Sequence, residues 1–205
     1  MNTGYEPEIT DLFEALPAVT ETELRTLHAR LADRANAEGI LDVAYRTLDT
    51  PVGTLLLAAT EKGLVRVAYD TEGHDKVLRT LAARVSPRIL NAPKRLDTAA
   101  REIDEYFAGL RRNFDLPLDL SLSTGFRRLV LNRLSDIAYG HTASYAAVAA
   151  AAGNPKAVRA VGTACANNPL PVVVPCHRVV RSDGSFGGYL GGPAAKQLLL
   201  NLEAA

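Results

Sequence analysis

The sequence predicts an α+β protein with two domains and a helical extension at its N-terminus. Three short apolar segments separated by turn residues predict a small antiparallel sheet in the first half of the chain. Helical periodicity dominates from about residue 121 onward, so the second half is expected to be mostly helical. We therefore expect an acidic helical extension over residues 1–42, an N-terminal α/β domain over 43–120 and a helical domain over 121–205.

The extension carries the signals of a helix N-terminus. Thr20-Glu-Thr-Glu23 matches a capping box, and Gly39 is typical of a helix end. Residues 1–43 contain nine acidic and three basic residues, although the whole chain has no net charge. We expect the apolar helix face to pack on the α/β domain; binding of an unknown partner and shielding of a basic surface are the alternatives. That face is formed by Leu24, Leu27, Leu31 and Ala35.

The first domain is expected to begin with three strands joined by tight turns. The strand segments are 45–48, 53–59 and 63–69, where β-branched and other apolar residues are frequent. Pro51-Val-Gly53 and Glu61-Lys-Gly63 supply the turn residues between them. An antiparallel arrangement follows, because turns this short join antiparallel neighbours.

Two helices are expected after the strands. Apolar residues recur at helical spacing over about 73–85 and again over 96–109. Pro117 and the polar stretch 121–124 then predict a linker between the domains.

The second domain carries a helix-turn-helix pattern. An amphipathic helix is expected over 126–137, an alanine-rich helix over 145–152 and a third helix over about 156–166. Gly153-Asn-Pro155 separates the last two by a short turn, as in DNA-binding proteins whose second helix enters a groove. An ordinary helical hairpin is the alternative. From Ser121 onward the chain has eight basic and three acidic residues, which favours an anionic ligand.

The clearest chemistry lies at Cys176 and His177, which follow an apolar run. Because a thiol reacts as the thiolate, the neighbouring base is expected to lower the pKa of Cys176 from about 8.5 into the working range. The other cysteine, Cys165, lies among small residues and is expected to be a core thiol. The two cysteines show no paired-ligand spacing, so neither a metal site nor a disulfide is expected.

The sequence carries no signal for export or membrane insertion. No apolar run approaches the roughly 20 residues that span a bilayer. The N-terminus carries Glu6, Glu8 and Asp11 in place of a basic segment followed by an apolar one. A cytoplasmic protein with free thiols and no membrane partner is therefore expected.

Several motifs in the second half of the chain follow one another in a recognisable order. They are the Tyr145 segment Ala-Ser-Tyr-Ala-Ala-Val, the run 153–162, Asn167-Asn168-Pro169, Pro175-Cys-His-Arg-Val179, Gly188-Tyr189, and Lys196 with Glu203. In this order they resemble the O6-alkylguanine-DNA alkyltransferases. The resemblance is most specific over 142–203, is limited to general pattern over 43–120, and has no counterpart in the first 42 residues.

The resemblance implies direct DNA repair. A damaged guanine would be flipped out of the duplex, and its O6-alkyl group would pass irreversibly to Cys176; O4-alkylthymine is a second implied substrate. His177 would take the thiol proton through a bridging water, and Glu203 would orient the imidazole. Tyr145 would donate to guanine N3 as the base departs, and Asn168 would brace the turn that carries the thiol. A thioether offers water no carbonyl to attack, so each molecule would repair one lesion.

The resemblance also implies a pocket for the flipped base. Backbone carbonyls of Cys176 and Val179 would read the exocyclic amine, and the amide at position 190 would meet O6. Relatives often carry a smaller or polar residue where this chain has Leu190, so the size of alkyl group accepted is open. The pocket residues implied are Pro171, Val179, Tyr189, Leu190 and Lys196.

A DNA-contacting surface is the last implication of the resemblance. Arg159 would fill the gap left by the flipped base, because a guanidinium plane stacks on neighbouring bases. Arg127 stands where bacterial relatives often have glutamine, and a phosphate contact or a simple surface change would explain it equally. The contacting residues implied are Arg127, Lys156, Ala157, Arg159 and Gly162.

The expected partner is therefore duplex DNA containing O6-alkylguanine, without a metal or other cofactor. A non-catalytic, alkyltransferase-like lesion-binding protein is one alternative, although such proteins generally lack the acceptor cysteine that Cys176 supplies here. A Cys-His hydrolase is the other, although peptide chemistry gives no reason for Arg159 or Asn168.

Overall fold

The computed structural model describes residues 19–204. Glu6, Glu8, Asp11 and the rest of the extension before residue 19 lie outside the described residues, as does Ala205. The α+β class predicted from the sequence is confirmed, with a sheet in the first half and helices around a very small sheet in the second. Within residues 19–204, no helix is both long enough and apolar enough to cross a membrane.

Helix α1, Glu21–Ala37, begins at the predicted capping box. The Thr20 hydroxyl accepts the amide of Glu23 at 3.2 Å, and the Glu23 carboxylate accepts the amide of Thr20 at 2.8 Å. These bonds satisfy two backbone donors that a helix start otherwise leaves free. The N-terminus of the extension helix is therefore confirmed.

The expected packing of the leucine face is wrong. Leu24, Leu27 and Leu31 are 46%, 53% and 52% exposed, and Ala32 and Ala35 are the buried residues of α1. The reason is that only the end of the helix reaches the domain, since residues 19–31 are all exposed.

Polar contacts anchor that end of α1 to the first domain. Lys94 forms an ion pair with Asp33 at 2.8 Å, and Arg95 donates to the Asn36 side chain at 2.6 Å. The small side chains of Ala32 and Ala35 let the helix backbone approach closely between these pairs.

The first domain contains the strands β1 (Val43–Thr50), β2 (Gly53–Thr60), β3 (Gly63–Tyr69) and β4 (Ile89–Asn91). They form one sheet in the order β3-β2-β1-β4. The three predicted strands are present and antiparallel, but β4 pairs in parallel with β1, so the sheet is mixed. Strand β4 was not predicted, and it is only three residues long.

Both faces of the sheet are covered. Alternate residues of β2 point to opposite faces, so Leu55 and Leu57 enter the main core while Leu56 enters a second cluster. The second cluster is closed by Val77 and Leu81 of helix α2, His74–Arg84. Helix α3, Asp97–Phe107, lies on the main core. A sheet covered on both faces explains why β2 reads as a continuous apolar run.

The predicted linker is docked on the sheet. Leu64 of β3 donates its amide to the Pro117 carbonyl at 2.8 Å and accepts the amide of Asp119 at 2.8 Å. A Cβ at Gly63, where φ is +131°, would lie 2.1 Å from the Pro117 oxygen. Glycine is therefore required where the linker crosses the strand.

The second domain is helical, as predicted. Its elements are α4 (Gly125–Leu134), β5 (Ala143–Ser144), α5 (Tyr145–Ala151), α6 (Val158–Ala166), β6 (Val179–Val180) and α7 (Gly192–Ala204). Helices α5 and α6 form the helix-turn-helix, and α6 begins two residues later than expected, after the turn at Asn154–Ala157. Strands β5 and β6 form a two-residue parallel pair.

One hydrophobic core runs through both halves of the chain. The cluster that contains Leu57 of the sheet and Ile103 of α3 also contains Val161 of α6 and Cys176. The site around Cys176 is therefore built on a scaffold to which both halves contribute.

A pair of glutamine substitutions on α1 tests its packing. Ala35→Gln should cost about 1–3 kcal/mol of the free energy of unfolding, because it forces a polar side chain into a packed contact. Leu31→Gln, on the same helix, should change stability by less than about 0.5 kcal/mol, since Leu31 is 52% exposed. Urea denaturation measures both, and an equal loss in the two variants would contradict this packing.

Candidate active site

Cys176 lies in a short 3₁₀ turn, Cys176–Arg178, between a buried apolar run and β6. Residues 168–180 are all buried. The loop before the turn contains Val172 with φ at +72°, a left-handed conformation that is strained for a β-branched residue. The cysteine is thus carried by a tightly packed and locally strained segment.

Asn168 braces this turn, as the resemblance implied. Its side-chain amide donates to the Val174 carbonyl at 2.8 Å and to Sγ of Cys176 at 3.1 Å. Its side-chain oxygen accepts the amide of Leu170 at 3.0 Å. Because Asn168 is fully buried, these bonds fix both ends of the loop and touch the sulfur directly.

The resting thiol is protonated, and this corrects the sequence-based expectation. Burial raises the pKa of Cys176 to about 11, although the hydrogen bond from Asn168 and the charge of Lys196 act in the opposite direction. His177 does not lower this pKa into the working range, because its Nε2 is directed at Glu203. The thiolate must therefore form during the reaction.

His177 is poised to accept a proton. Its Nε2 lies 2.9 Å from Oε1 of Glu203, so the carboxylate requires the hydrogen on that nitrogen. Nδ1 is then the basic nitrogen, and among the described residues this buried atom has no hydrogen-bond partner. Burial lowers the pKa of His177 although Glu203 opposes the shift, so the imidazole is neutral at pH 7.

Glu203 is the centre of a buried hydrogen-bond network. Its Oε1 accepts from His177 at 2.9 Å, from Arg178 at 2.9 Å and from Tyr106 at 2.7 Å. Its Oε2 accepts from Arg178 at 2.9 Å and from the Gly140 amide at 3.3 Å. Burial alone would raise the pKa of Glu203, but the bonds from His177, Arg178 and Tyr106 outweigh it and hold the pKa at about 2.

Sequence reasoning missed two members of this network. Arg178 belongs to the motif that carried the resemblance, and a cation next to His177 could have been paired with Glu203 from charge alone. Tyr106 lies 97 residues before its partner in the other half of the chain, and no local pattern marks it.

Tyr145 begins α5, where the Ser144 hydroxyl caps the helix by accepting the amide of Ala147 at 3.1 Å. Burial raises the pKa of Tyr145, so its phenol stays protonated and can donate. The phenol also packs closely on the loop before α7, because a Cβ at Gly187 would lie 2.2 Å from its oxygen. The position of this hydroxyl therefore depends on the absence of a side chain at residue 187.

The two domains share the tyrosine wall beside the thiol. The hydroxyls of Tyr69 and Tyr189 are 2.8 Å apart, and their rings meet edge to face with centroids 5.9 Å apart. A Cβ at Gly191 would lie 2.5 Å from the Tyr69 ring. Tyr69 of β3 was not predicted as a site residue.

The remaining expected pocket residues are either buried or line a cavity. Lys196 is buried, and its Nζ donates to the Val179 carbonyl at 2.6 Å, which leaves that carbonyl a second lone pair for a ligand. Burial lowers the pKa of Lys196. Pro171 is buried in the loop before the thiol. Leu190 lines a cavity of about 380 Å³ between the domains.

The expected DNA-contacting residues lie around the start of α6 and of α4. Lys156 and Arg159 are exposed, and Arg127 in the first turn of α4 lines the same cavity as Leu190. Ala157 is half-buried, and its amide donates to the Asn154 carbonyl at 2.9 Å, which closes the turn before α6. Gly162 lies further along α6, where a Cβ would be 4.0 Å from the Tyr145 ring.

This arrangement supports nucleophilic chemistry at sulfur. A buried thiol, a neutral imidazole with a free basic nitrogen, and a carboxylate that supports the imidazolium form one contiguous group. Beside it lie a protonated phenol and a helix start whose free amides and arginine suit an anion. In the described part of the chain no group of three or more His, Cys, Asp or Glu is arranged to hold a metal.

Two family models together match nearly all of residues 43–205. The family described as 6-O-methylguanine DNA methyltransferase, ribonuclease-like domain, matches residues 43–120. The family described as 6-O-methylguanine DNA methyltransferase, DNA binding domain, matches residues 125–205.

Curated relatives match over the same region. The constitutive methylated-DNA–protein-cysteine methyltransferase of Bacillus subtilis is 40% identical over 160 residues, which cover 78% of this chain and 94% of that protein. The methylated-DNA–protein-cysteine methyltransferase of Methanosarcina barkeri is 36% identical over 159 residues, which cover 78% of this chain and 96% of that protein.

Solved structures give the same result. The crystal structure of Mycobacterium tuberculosis O6-methylguanine methyltransferase superposes with a TM-score of 0.69 at 38% identity, over 79% of this chain and 93% of that one. The crystal structure of Mycobacterium tuberculosis OGT in complex with DNA superposes with a TM-score of 0.68 at 36% identity, over 78% of this chain and 92% of that one.

The buried network predicts a loss of stability in acid. The pKa of folded His177 lies below its ordinary value of 6.5, so the unfolded chain takes up a proton first as the pH falls through about 6.5, and stability drops. The pKa of folded Glu203 is about 2 against an ordinary value of 4.5, so its contribution is present above pH 4.5 and is lost as the pH falls from there towards 2.

Urea midpoints between pH 8 and pH 3 measure this dependence. A Glu203→Gln variant should be less stable than the parent at pH 7, yet it should lose less stability between pH 5 and pH 3. An unchanged dependence on pH in that variant would contradict the role assigned to the carboxylate.

Proposed function

The chain belongs to the 6-O-methylguanine DNA methyltransferase family, and from this premise we propose that it transfers the alkyl group of O6-alkylguanine in duplex DNA to Cys176. It is an enzyme of direct DNA repair. The residue assignment rests on one buried arrangement. Asn168 donates to Sγ of Cys176, and the neutral imidazole of the adjacent His177 is hydrogen-bonded to Glu203. The same attack on a saturated carbon bound to an exocyclic oxygen would extend to O4-alkylthymine.

The transfer step balances as a displacement at carbon. Sγ of Cys176 attacks the alkyl carbon, the C–O6 bond breaks, and its electron pair stays on the guanine. The thiol proton passes to Nδ1 of His177 through a bridging water, and the imidazolium is stabilised by Glu203. This order accounts for a resting pKa of about 11 at Cys176, because a base is then needed to remove the proton.

Tyr145 neutralises the leaving group. An anionic guanine in a dry pocket would carry a large charge penalty, so a proton donor aimed at N3 lowers the barrier. The raised pKa of Tyr145 keeps the phenol protonated until the base begins to leave. The product at Cys176 is a thioether with no good leaving group, so each molecule acts once.

Binding to DNA is centred on the start of α6. Arg159 projects from the first turn and would stack into the space left by the flipped nucleotide. The free amides of this turn, with Lys156 and Arg127, would meet the phosphates, because a helix N-terminus carries partial positive charge. Phosphate contacts of this kind give affinity that depends little on sequence and falls steeply with salt.

An alkyl-adduct assay tests the function directly. Incubation with duplex DNA containing O6-methylguanine should add one methyl group to the peptide that bears Cys176, restore guanine, and stop at one equivalent. Cys165→Ser should behave as the parent, because that thiol is assigned to the core, whereas Cys176→Ser should form no adduct. Mass spectrometry of the digested protein measures the site and the stoichiometry.

Two outcomes would overturn the assignment. Repeated turnover would indicate a hydrolase, because a hydrolase regenerates its thiol. Tight lesion binding by the intact protein without an adduct would indicate a lesion-binding protein.

Two adjacent glycines provide a test of Tyr145. Gly187→Ala places a Cβ 2.2 Å from the phenol oxygen and should move it, lowering the transfer rate by about tenfold or more while costing little stability. Gly188→Ala has open space at its Cβ and should stay within about twofold of the parent rate. Single-turnover rates of the two variants are measured on the same duplex. Equal rates would contradict the positioning of Tyr145 by this loop.

A further inference from the structure

A tyrosine of the first domain is hydrogen-bonded to Glu203, the carboxylate that supports His177. Tyr106 lies in the last turns of α3, and its hydroxyl is 2.7 Å from Oε1 of Glu203 in α7. Tyr106 is fully buried, and Glu203 is only 4% exposed. This bond joins the two domains inside the site.

We propose that Tyr106 is a positioning residue for alkyl transfer, because its hydroxyl shares Oε1 of Glu203 with His177 and so limits how strongly the carboxylate holds the imidazolium. The proposal rests on the function given above. It assigns to the first domain a direct effect on the reaction, exerted through Glu203 and His177.

The direction of the hydrogen bond is fixed by charge. Burial raises the pKa of Tyr106 far above its ordinary value, and the negative charge of Glu203 raises it further. The phenol is therefore protonated at neutral pH, and it donates to the carboxylate.

Three donors compete for one oxygen. Oε1 accepts from His177, from Arg178 and from Tyr106, while Oε2 accepts from the other nitrogen of Arg178 and from a backbone amide. Each further donor draws negative charge away from the bond to Nε2. Without the phenol, Oε1 would bind the imidazolium more tightly, and His177 would be protonated at a higher pH.

The Tyr106 ring has little freedom to move. It meets Phe107 and Phe114 with centroids 5.3 Å away in each case, and Tyr139 at 6.2 Å. A ring held on these sides delivers its hydroxyl to one place. Removing the oxygen while keeping the ring is therefore a small structural change.

Other groups around His177 also affect its titration and remain constant in the test. Glu203 raises its pKa, whereas the charges of Arg178 and Lys196 lower it. Cys176 precedes it in the turn, and the Tyr189 ring lies edge to face at 6.3 Å. Of these groups, only Glu203 is hydrogen-bonded to the Tyr106 hydroxyl, so the substitution acts on His177 through that carboxylate.

The experiment compares Tyr106→Phe with Tyr139→Phe in the full chain. Tyr139 is a matched control, since its hydroxyl donates to the Leu202 carbonyl of the same helix at 3.1 Å without touching the carboxylate. Single-turnover methyl transfer from duplex O6-methylguanine is measured from pH 5 to pH 8.5. The parent rate should fall on the acidic side with a midpoint below 6.5, as the lowered pKa of His177 requires.

Tyr106→Phe should move that midpoint up by about half a unit to one unit, which lowers the rate about threefold to tenfold on the acidic side. Above the midpoint the rate should stay within about threefold of the parent, and Tyr139→Phe should leave the midpoint unchanged. An unshifted midpoint in Tyr106→Phe, with or without a uniform loss of rate, would overturn the proposal. The same shift in both variants would also overturn it.

A second measurement keeps the proposal testable if Tyr106→Phe does not fold. In the parent protein, the Tyr106 hydroxyl proton should be protected from exchange and should give a downfield proton resonance with contacts to α7. A rapidly exchanging hydroxyl would overturn the proposal. Absence of methyl transfer by the parent would instead count against the proposed function, so the two failures are distinguishable.

Discussion

The site depends on one buried carboxylate. Glu203 receives five hydrogen bonds, from α3, from the turn that carries Cys176 and from the backbone before β5. These donors come from three separate parts of the chain, so the carboxylate holds the last helix against both domains. A buried charge of this kind is tolerable only when it is fully paired, and Arg178 supplies the formal counter-charge. The same bonds that satisfy the charge also orient His177.

Arg178 extends this network within the second domain. It also donates to the Ile137 carbonyl, and its guanidinium lies 5.9 Å from the centre of the Tyr139 ring. Arg112, from the segment that leads out of the first domain, lies 5.5 Å from the same ring. Tyr139 is thus in contact with cations from both domains, which adds to the bond between Tyr106 and Glu203. The geometry at the thiol is therefore a property of the whole fold.

Features that depend on neighbouring residues could be predicted from the sequence. Contacts between segments that are far apart in the chain could not. The family was confirmed, and Cys176, His177, Asn168 and Tyr145 could be named as candidates because short motifs carry them. Tyr106 and Tyr69 had no such motif, since each acquires its role from a partner that the fold alone brings near. The leucines of α1 were misassigned because periodicity identifies an apolar face without showing what covers it.

The loop before the thiol has a further consequence in terms of conformational entropy. Pro171 and Pro175 fix φ at both ends of a run of three valines, and Val172 is held at φ +72°. Glycine at that position would relieve the strain but would leave the unfolded loop many more conformations to lose. The strained loop therefore lowers the folding stability somewhat, but it restricts the sulfur to few alternative positions. In the single-use transfer proposed above, no later cycle corrects a misplaced nucleophile, so a rigid loop is favoured before the first encounter with DNA.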